Sequence, residues 1–576
     1  MRLMLHYLKR YKGLVLLNIV SVFGFALVEL GIPTIVAQMI DNGVSKMDTA
    51  YIINMGWVIA LISVLGVLGT ILLGFCCAKI SSSITADIRD DVFKKAQSFS
   101  HTEYNHFGIS SMITRTNNDA FQIQLFMNVL LRTALMTPIM FIVSFILTLQ
   151  TSLELSLIIA ATVPIIILGV VLVAKWSKPI SEKQQRSLDT MNRITRENLT
   201  GIRVIRAFNN DTYEQQRFDQ ESNAYMTHSR RLFKLMGMTQ PTFFFLMNLA
   251  ALAIFIVAGI MINASALQVG KLVAFMDYLF HAMFSMMLFC TVFVMYPRAE
   301  VSANRIREVL ETRPLIENKP QGEKLSGPVE TISFEHVTFA YPNSEEATLR
   351  DITFTAKKGE TIAFIGSTGS GKSTLINLLP RFFDVTAGSI RINGVDIRDY
   401  DIYSLRDAIG FIAQKAVLFH GSIADNIRFG KSDATMDEVI AAAKTAQAYD
   451  FILERPKGFD TDVTEAATNL SGGQKQRLSI ARALVRKPRI YIFDDSFSAL
   501  DFQTDARLRK ALRAETRDAV VLIVAQRISS IMDADKIVVL NEGKIVGQGT
   551  HSDLLEACPI YYEIAASQLS EKELKR

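Results

Sequence analysis

Apolar residues follow two regimes along this chain. Up to about Pro297 they form long, nearly uncharged runs; beyond about Pro328 they shorten to strand-length stretches between polar turns and helical patterns. A hydrocarbon layer about 30 Å thick needs roughly 20 apolar residues in a helix to cross it. Six runs qualify, at 13–38, 51–78, 126–149, 153–176, 241–262 and 272–296. One such run could be a buried helix of a soluble domain. Six in one half of the chain predict an all-α domain of six transmembrane helices.

The connections alternate in length. Residues 41–50, the turn near Thr151 and residues 263–271 are short, whereas 79–121 and 175–240 are long and polar. The long segments hold most of the Lys and Arg, with Lys79, Lys175 and Lys178 close to span ends. The positive-inside rule places them, and the N-terminus, in the cytoplasm. Helical patterns on both sides of the long segments predict spans that extend beyond the bilayer. Arg2, Lys9, Arg10 and Lys12 precede the first run without a small-residue cleavage site, so an uncleaved span is expected rather than a signal peptide.

Composition sharpens this picture only where it is uneven. The 576 residues are 49% hydrophobic and 20% charged, with a formal charge of +5. The basic excess flanks apolar runs instead of forming a patch, which argues against nucleic acid as a partner. Cys76, Cys77, Cys290 and Cys558 have neither metal-ligand spacing nor a disulfide framework; Cys76 and Cys77 are expected to pack between helices. Residues 311–327, with Pro314, Pro320, Gly322 and Gly327, have linker composition. The expected domains are therefore 1–310 in the membrane, a linker at 311–330, and 331–576 as a mostly parallel α/β fold with an antiparallel accessory sheet.

Chemistry concentrates in that last domain. A short apolar strand at 362–365 runs into Gly366-Ser-Thr-Gly-Ser-Gly-Lys-Ser373 and then a helical pattern, the strand–loop–helix context of a P-loop. Glycines at 366, 369 and 371 let backbone N–H groups curl around a phosphate, and the helix N-terminus faces the anion. Lys372 supplies charge to the β- and γ-phosphates, and the Ser373 hydroxyl is a Mg²⁺ ligand candidate. The strand 489–493 delivers Asp494 at its C-terminal end, where a Mg²⁺-organising acid belongs.

Between them lies Leu470-Ser-Gly-Gly-Gln474, followed by Lys475-Gln-Arg477. With the P-loop, this pentapeptide resembles the signature of the ATP-binding cassette family, and six spans followed by a cassette resemble an ABC exporter half-transporter over the whole chain. The resemblance implies ATP and Mg²⁺ as cofactors. It implies phosphate contacts from Ser367, Thr368, Gly369, Ser370, Gly371, Lys372, Ser373 and Thr374, adenine stacking on Tyr341, and Mg²⁺ sensing by Gln414 beside Ser373 and Asp494. It also implies that Ser471, Gly472, Gly473 and Gln474 meet the γ-phosphate held by an opposite cassette, that Ser498-Ala-Leu-Asp501 crosses the dimer interface, and that loop tips near 117–121 and 210–213 dock on the cassettes.

Two positions depart from the family pattern. A glutamate normally follows the Asp494 position and polarises the attacking water; here it is Asp495, one methylene shorter. A misplacement of about 1 Å can cost roughly 100-fold in rate. The usual histidine after the strand 519–525 is Gln526, which cannot make a charged hydrogen bond. Thr464-Glu-Ala-Ala467 also lacks the glycines that usually flank the glutamate. An intact signature beside a weakened hydrolytic pocket resembles the degenerate-site subunit of bacterial heterodimeric multidrug exporters, whose partner carries the catalytic glutamate. A slow homodimer remains the alternative.

Glu29 lies in the first run and Asp277 and His281 in the sixth. Ionisable groups there face cavities or pair with each other, so they contact a cationic amphipathic substrate or pair structurally with partner-chain residues. Met and Phe in the later spans, including Phe243, Met247, Met283 and Met286, suit an adaptable cavity and equally ordinary packing. The substrate is expected to be a small amphipathic compound leaving the cytoplasm through the lipid bilayer, with lipid or peptide translocation and a non-transporting ATP-gated channel or sensor as alternatives.

Overall fold

The computed structural model describes residues 2–319, 321–342, 344–570 and 574, and only the backbone of Val170, Ala174 and Cys290. Linker residue Pro320 and the side chain of Cys290 therefore lie outside the described residues. Contacts divide the chain into two compact units: Met1–Gln97 with Ser110–Thr312, and Ser98–Ile109 with Arg313–Arg576.

Among the described residues the first unit holds six long apolar helices, Arg2–Val44, Thr49–Gln97, Ile109–Thr151, Leu153–Ala207, Asp211–Asn263 and Val269–Glu311. Each contains one of the six apolar runs. The fourth, 55 residues long, spans roughly 80 Å at 1.5 Å per residue, far more than a bilayer needs. Outward-facing Leu27, Trp57 and Leu61 are exposed, as lipid-facing side chains are in an isolated chain. Small residues set the helix spacing: a Cβ on Gly66 would stand 2.5 Å from Val28 Cγ1. Polar groups close on each other inside. Asn18 Nδ2 donates to Leu131 O at 3.0 Å, and the Cys77 thiol to Asn18 Oδ1 at 3.2 Å. Cys76 and Cys77 are buried free thiols.

In the second unit, strands β1 (Thr331–Phe339), β2 (Leu349–Lys357), β3 (Thr361–Gly366), β4 (Ala387–Ile392), β5 (Val395–Asp396), β6 (Ile409–Ile412), β7 (Gly421–Ser422), β8 (Asp462–Val463), β9 (Ile490–Asp494), β10 (Val520–Val524), β11 (Lys536–Asn541) and β12 (Lys544–Gly549) form three sheets. The largest has the order β12-β11-β3-β10-β9-β6. Its β11, β3, β10, β9 and β6 strands are parallel, and β12 is antiparallel on the β11 edge. Every residue of β9 and β10 is buried, as expected of strands covered on both faces. The order β2-β1-β4-β5 makes an antiparallel accessory sheet. Pairing Val521 with Thr361 and Val520 with Ile490 brings the C-terminal ends of β3, β9 and β10 side by side, the edge where open α/β sheets bind ligands.

One expectation needs correction. The tip expected to dock near 117–121 belongs to the membrane unit; there Asp119 is buried and accepts from Ser302 Oγ at 2.8 Å. Helix His101–Phe107 belongs instead with the cassette residues. It starts at a capping box in which Ser100 N donates to Glu103 Oε2 at 2.6 Å, and ends at Gly108 with φ 76°. Its His101 ring stacks on Phe382 at 5.4 Å. The helical path is interrupted before His101 and at Gly108, whereas 115–119 continues as a π-turn inside a helix. The linker residues make hydrogen bonds within the second unit. Leu315 N donates to Glu103 Oε1, Glu323 N to Asp399 O and Asp401 N to Glu323 O, while Leu325 and Val329 are buried.

Candidate functional site: the nucleotide pocket

The loop after β3 has the backbone needed to wrap an anion. Gly366, Gly369 and Gly371 take φ of 153°, 84° and 94°. Gly366 is the most constrained, since a Cβ there would stand 2.0 Å from Leu540 O. Helix Lys372–Leu378 begins at Gly371 without a side-chain cap, so its first N–H groups point into the loop. Ser370 and Thr374 are buried while Ser367 and Thr368 are exposed. Lys372 Nζ folds back onto Gly366 O at 2.9 Å and Ser367 O at 2.7 Å. Burial lowers its pKa, with Asp495 and Asp494 opposing that effect.

Asp494 closes β9 beside this loop. Ser373 Oγ donates to Asp494 Oδ1 at 2.8 Å, so a hydroxyl and a carboxylate lie together as a hard-oxygen pair suited to Mg²⁺. Burial pushes the Asp494 carboxyl above the ordinary range, a cost that a cation placed between these oxygens would relieve. Tyr341 stands at the other side, its hydroxyl 3.0 Å from Thr374 Oγ1 and its ring edge-on to Phe339 and Phe383.

Asp495 is 7% exposed and sits in the left-handed region at φ 46°. Its backbone N–H donates to Val524 O, and its carbonyl accepts from Ser498 Oγ. The carboxylate Oδ2 accepts from Gln526 Nε2 at 2.9 Å and from Gln414 Nε2 at 3.3 Å. Both departures from the family pattern therefore meet on one oxygen atom. Burial raises the Asp495 carboxyl as well.

The signature forms the first turn of helix Gly472–Leu484. Ser471 and Gln474 make a reciprocal capping box, and Arg455 Nη2 adds a bond to Gln474 Oε1 at 3.1 Å. That leaves the N–H groups of Gly472 and Gly473 as the unpaired donors of the turn. A Cβ on Gly473 would stand 3.1 Å from Ala499 O, so the signature turn lies against the 498–501 loop. Asp501 caps the helix that follows by accepting from Thr504 N at 2.9 Å. At 464–467, Ala466 and Ala467 take φ of 55° and 51°, a conformation that costs a non-glycine residue roughly 1–2 kcal/mol.

One residue of this region escaped the sequence reading. Gln568 clamps the backbone of the loop carrying Gln526: its Nε2 donates to Gln526 O at 2.9 Å, and its Oε1 accepts from Ile528 N at 2.9 Å. A glutamine far along the chain, outside any motif, carries no local signal of that contact.

Residues 15–288 match the family described as ABC transporter transmembrane region, and residues 349–498 the one described as ABC transporter. Over 571 residues, 99% of this chain and 98% of its relative, the sequence is 37% identical to the uncharacterized ABC transporter ATP-binding protein YfiB of Bacillus subtilis (strain 168). It is 30% identical over 495 residues to the ATP-dependent lipid A-core flippase of Syntrophus aciditrophicus (strain SB), covering 86% and 82% of the two chains. A solved bacterial Atm1-family ABC exporter with ATP bound superposes with a TM-score of 0.80 at 26% identity, covering 98% and 99%.

Proposed function

This chain belongs to the ABC transporter family, a multi-pass exporter with a cytoplasmic ATPase cassette coupled to transport, and on that premise we propose that it exports amphipathic or hydrophobic compounds as half of a heterodimer. ABC exporters work as dimers. In this reading the chain's own P-loop pocket binds ATP and hydrolyses it weakly. Its signature, Ser471 to Gln474, completes the competent pocket of a partner that carries the glutamate.

In this reading each site residue takes the role that the family resemblance implies. Tyr341 holds adenine, and the backbone from Ser367 to Thr374 with Lys372 cradles the phosphates. Ser373 and Asp494 would hold Mg²⁺, with Gln414, bonded to the adjoining Asp495, as its sensor, and the ion would supply positive charge to the β- and γ-phosphates. Asp495 is the position from which a base would reach water. A base must accept a proton through a well-aimed oxygen; two amides turn the Oδ2 of Asp495 toward themselves and leave only Oδ1, on a side chain one methylene short, for the water. That engagement is the observation carrying the heterodimer reading.

Purification of this chain alone and together with a candidate partner, in inverted vesicles, tests it. Brisk ATPase activity and ATP-dependent dye accumulation are expected only from the pair. A stable homodimer of this chain that pumps dye at full rate would end the heterodimer reading. Lipid translocation is the second reading, supported by the 30% identical flippase relative; ATPase stimulation by lipids and not by dyes would favour it.

A further inference from the structure

We propose that Glu29, Asp277 and His281 form the recognition site for a singly charged lipophilic cation within the membrane unit. The proposal rests on the exporter reading and names its substrate class. The first span brings Glu29, and the sixth brings Asp277 and His281 one helical turn apart. His281 Nε2 stands 3.7 Å from Glu29 Oε2 and 3.6 Å from Asp277 Oδ2.

The charges do not balance. One ring nitrogen carries at most one proton, so it can serve only one of the two carboxylates at a time. With the ring protonated the trio bears a net charge of −1, and with the ring neutral −2. Among the described residues, no Lys or Arg lies within salt-bridge distance of either carboxylate, and neither carboxylate accepts a hydrogen bond. The two side chains are 40% and 46% exposed, whereas the imidazole between them is 18% exposed, so the carboxylates face open space. Counted at 1.5 Å per residue, Asp277 lies roughly 12 Å and Glu29 roughly 22 Å inside the outer ends of their helices, Val269–Glu311 and Arg2–Val44. Uncompensated charge at that depth is costly and marks a place where a counter-charge comes and goes.

The adjoining surface says what kind of counter-charge fits. A cleft of about 470 Å³ runs between the first, fifth and sixth spans with Asp277 in its wall. The rest of the wall is apolar, including Ile32, Val36, Met247, Met276 and Phe280, with the Asn248 amide as a polar addition. Apolar walls beside a carboxylate suit a cation whose charge is wrapped in hydrocarbon. Among the described residues, no group of three His, Cys, Asp or Glu side chains is arranged to hold a metal ion. An anion would add to the excess, and a neutral amphiphile would leave it unchanged.

The test uses the assembled full-length transporter in lipid nanodiscs with two probes of matched size and opposite charge, tetraphenylphosphonium and tetraphenylborate. Tetraphenylphosphonium is expected to bind at least tenfold more tightly. Asp277→Asn and Glu29→Gln should each weaken that binding at least tenfold without weakening tetraphenylborate, and Asp277→Glu should retain it. Melting temperatures of the variants identify any that fail to fold. Equal affinity for the two probes, or unchanged tetraphenylphosphonium binding in both neutralised variants, overturns the proposal; protonated carboxylates would give that result. Dissociation of the assembly by Asp277→Asn, with no probe preference in the wild type, overturns it in favour of a partner-chain cation. ATP-driven transport of a neutral dye without cation preference would sink this inference and leave the exporter reading standing. Charge-selective binding without any transport would do the reverse.

Discussion

The amide of Gln526 donates to Asp495 Oδ2 across 2.9 Å, joining the two positions at which this cassette departs from its family. The pair is coupled, so neither substitution alone should restore hydrolysis. Asp495→Glu is expected to raise the ATPase rate of the assembled transporter by less than about tenfold. Asp495→Glu with Gln526→His should exceed the sum of the single effects, as residues in contact do. Steady-state ATPase assays of the two single variants and the double variant decide this, and strict additivity would contradict the coupling.

Gly366 has no room for a side chain. A methyl group would meet the Leu540 carbonyl at 2.0 Å, on a backbone with φ of 153°. Gly366→Ala should destabilise the cassette by on the order of 3 kcal/mol and abolish nucleotide binding. Thermal melting with and without ATP measures both effects.

Gln568 should hold the loop carrying Gln526 in place. Its loss removes two hydrogen bonds to the backbone, each worth about 1 kcal/mol. In Gln568→Ala, hydrogen exchange at the Ile528 amide is expected to quicken about tenfold or more. Gln568→Glu keeps the acceptor for Ile528 N but loses the donor to Gln526 O, so it should fall between. Unaltered exchange in both variants would remove the clamp from the account.

His551 supplies a pH dependence with a definite sign. Its Nδ1 stands 2.6 Å from the hydroxyl of buried Tyr561, and burial lowers its pKa below 6.5, with Asp533 partly opposing. The unfolded chain therefore takes up a proton that the folded one refuses. Stability is lost as pH falls through 6.5 toward the lower folded value, and is flat above. His551→Asn should reduce the difference in melting temperature between pH 7.5 and pH 5.5. An undiminished difference would place the sensitivity elsewhere.

The sequence by itself determined the architecture and the anion-binding loop, because both are written in local patterns. Six apolar runs dictate six spanning helices, since a backbone in hydrocarbon must satisfy its own hydrogen bonds. Gly366, Gly369 and Gly371 stand where positive φ is required, and Asp494 follows from a strand buried on both faces. The Ser100 and Glu103 capping box and Gly108, which bound the cassette-associated helix at 101–107, are local signals that the sequence reading passed over.

Tertiary structure alone decided which distant side chains meet. The parallel register of β9 and β10 brings Asp495 to Gln526, the chain's return at 568 clamps that loop, and the packing of the first span on the sixth sets Glu29 against His281. Hydrophobic periodicity reports which face of an element is buried, but it is blind to the partner across the contact. Partners separated by tens or hundreds of residues are chosen only when the whole core closes.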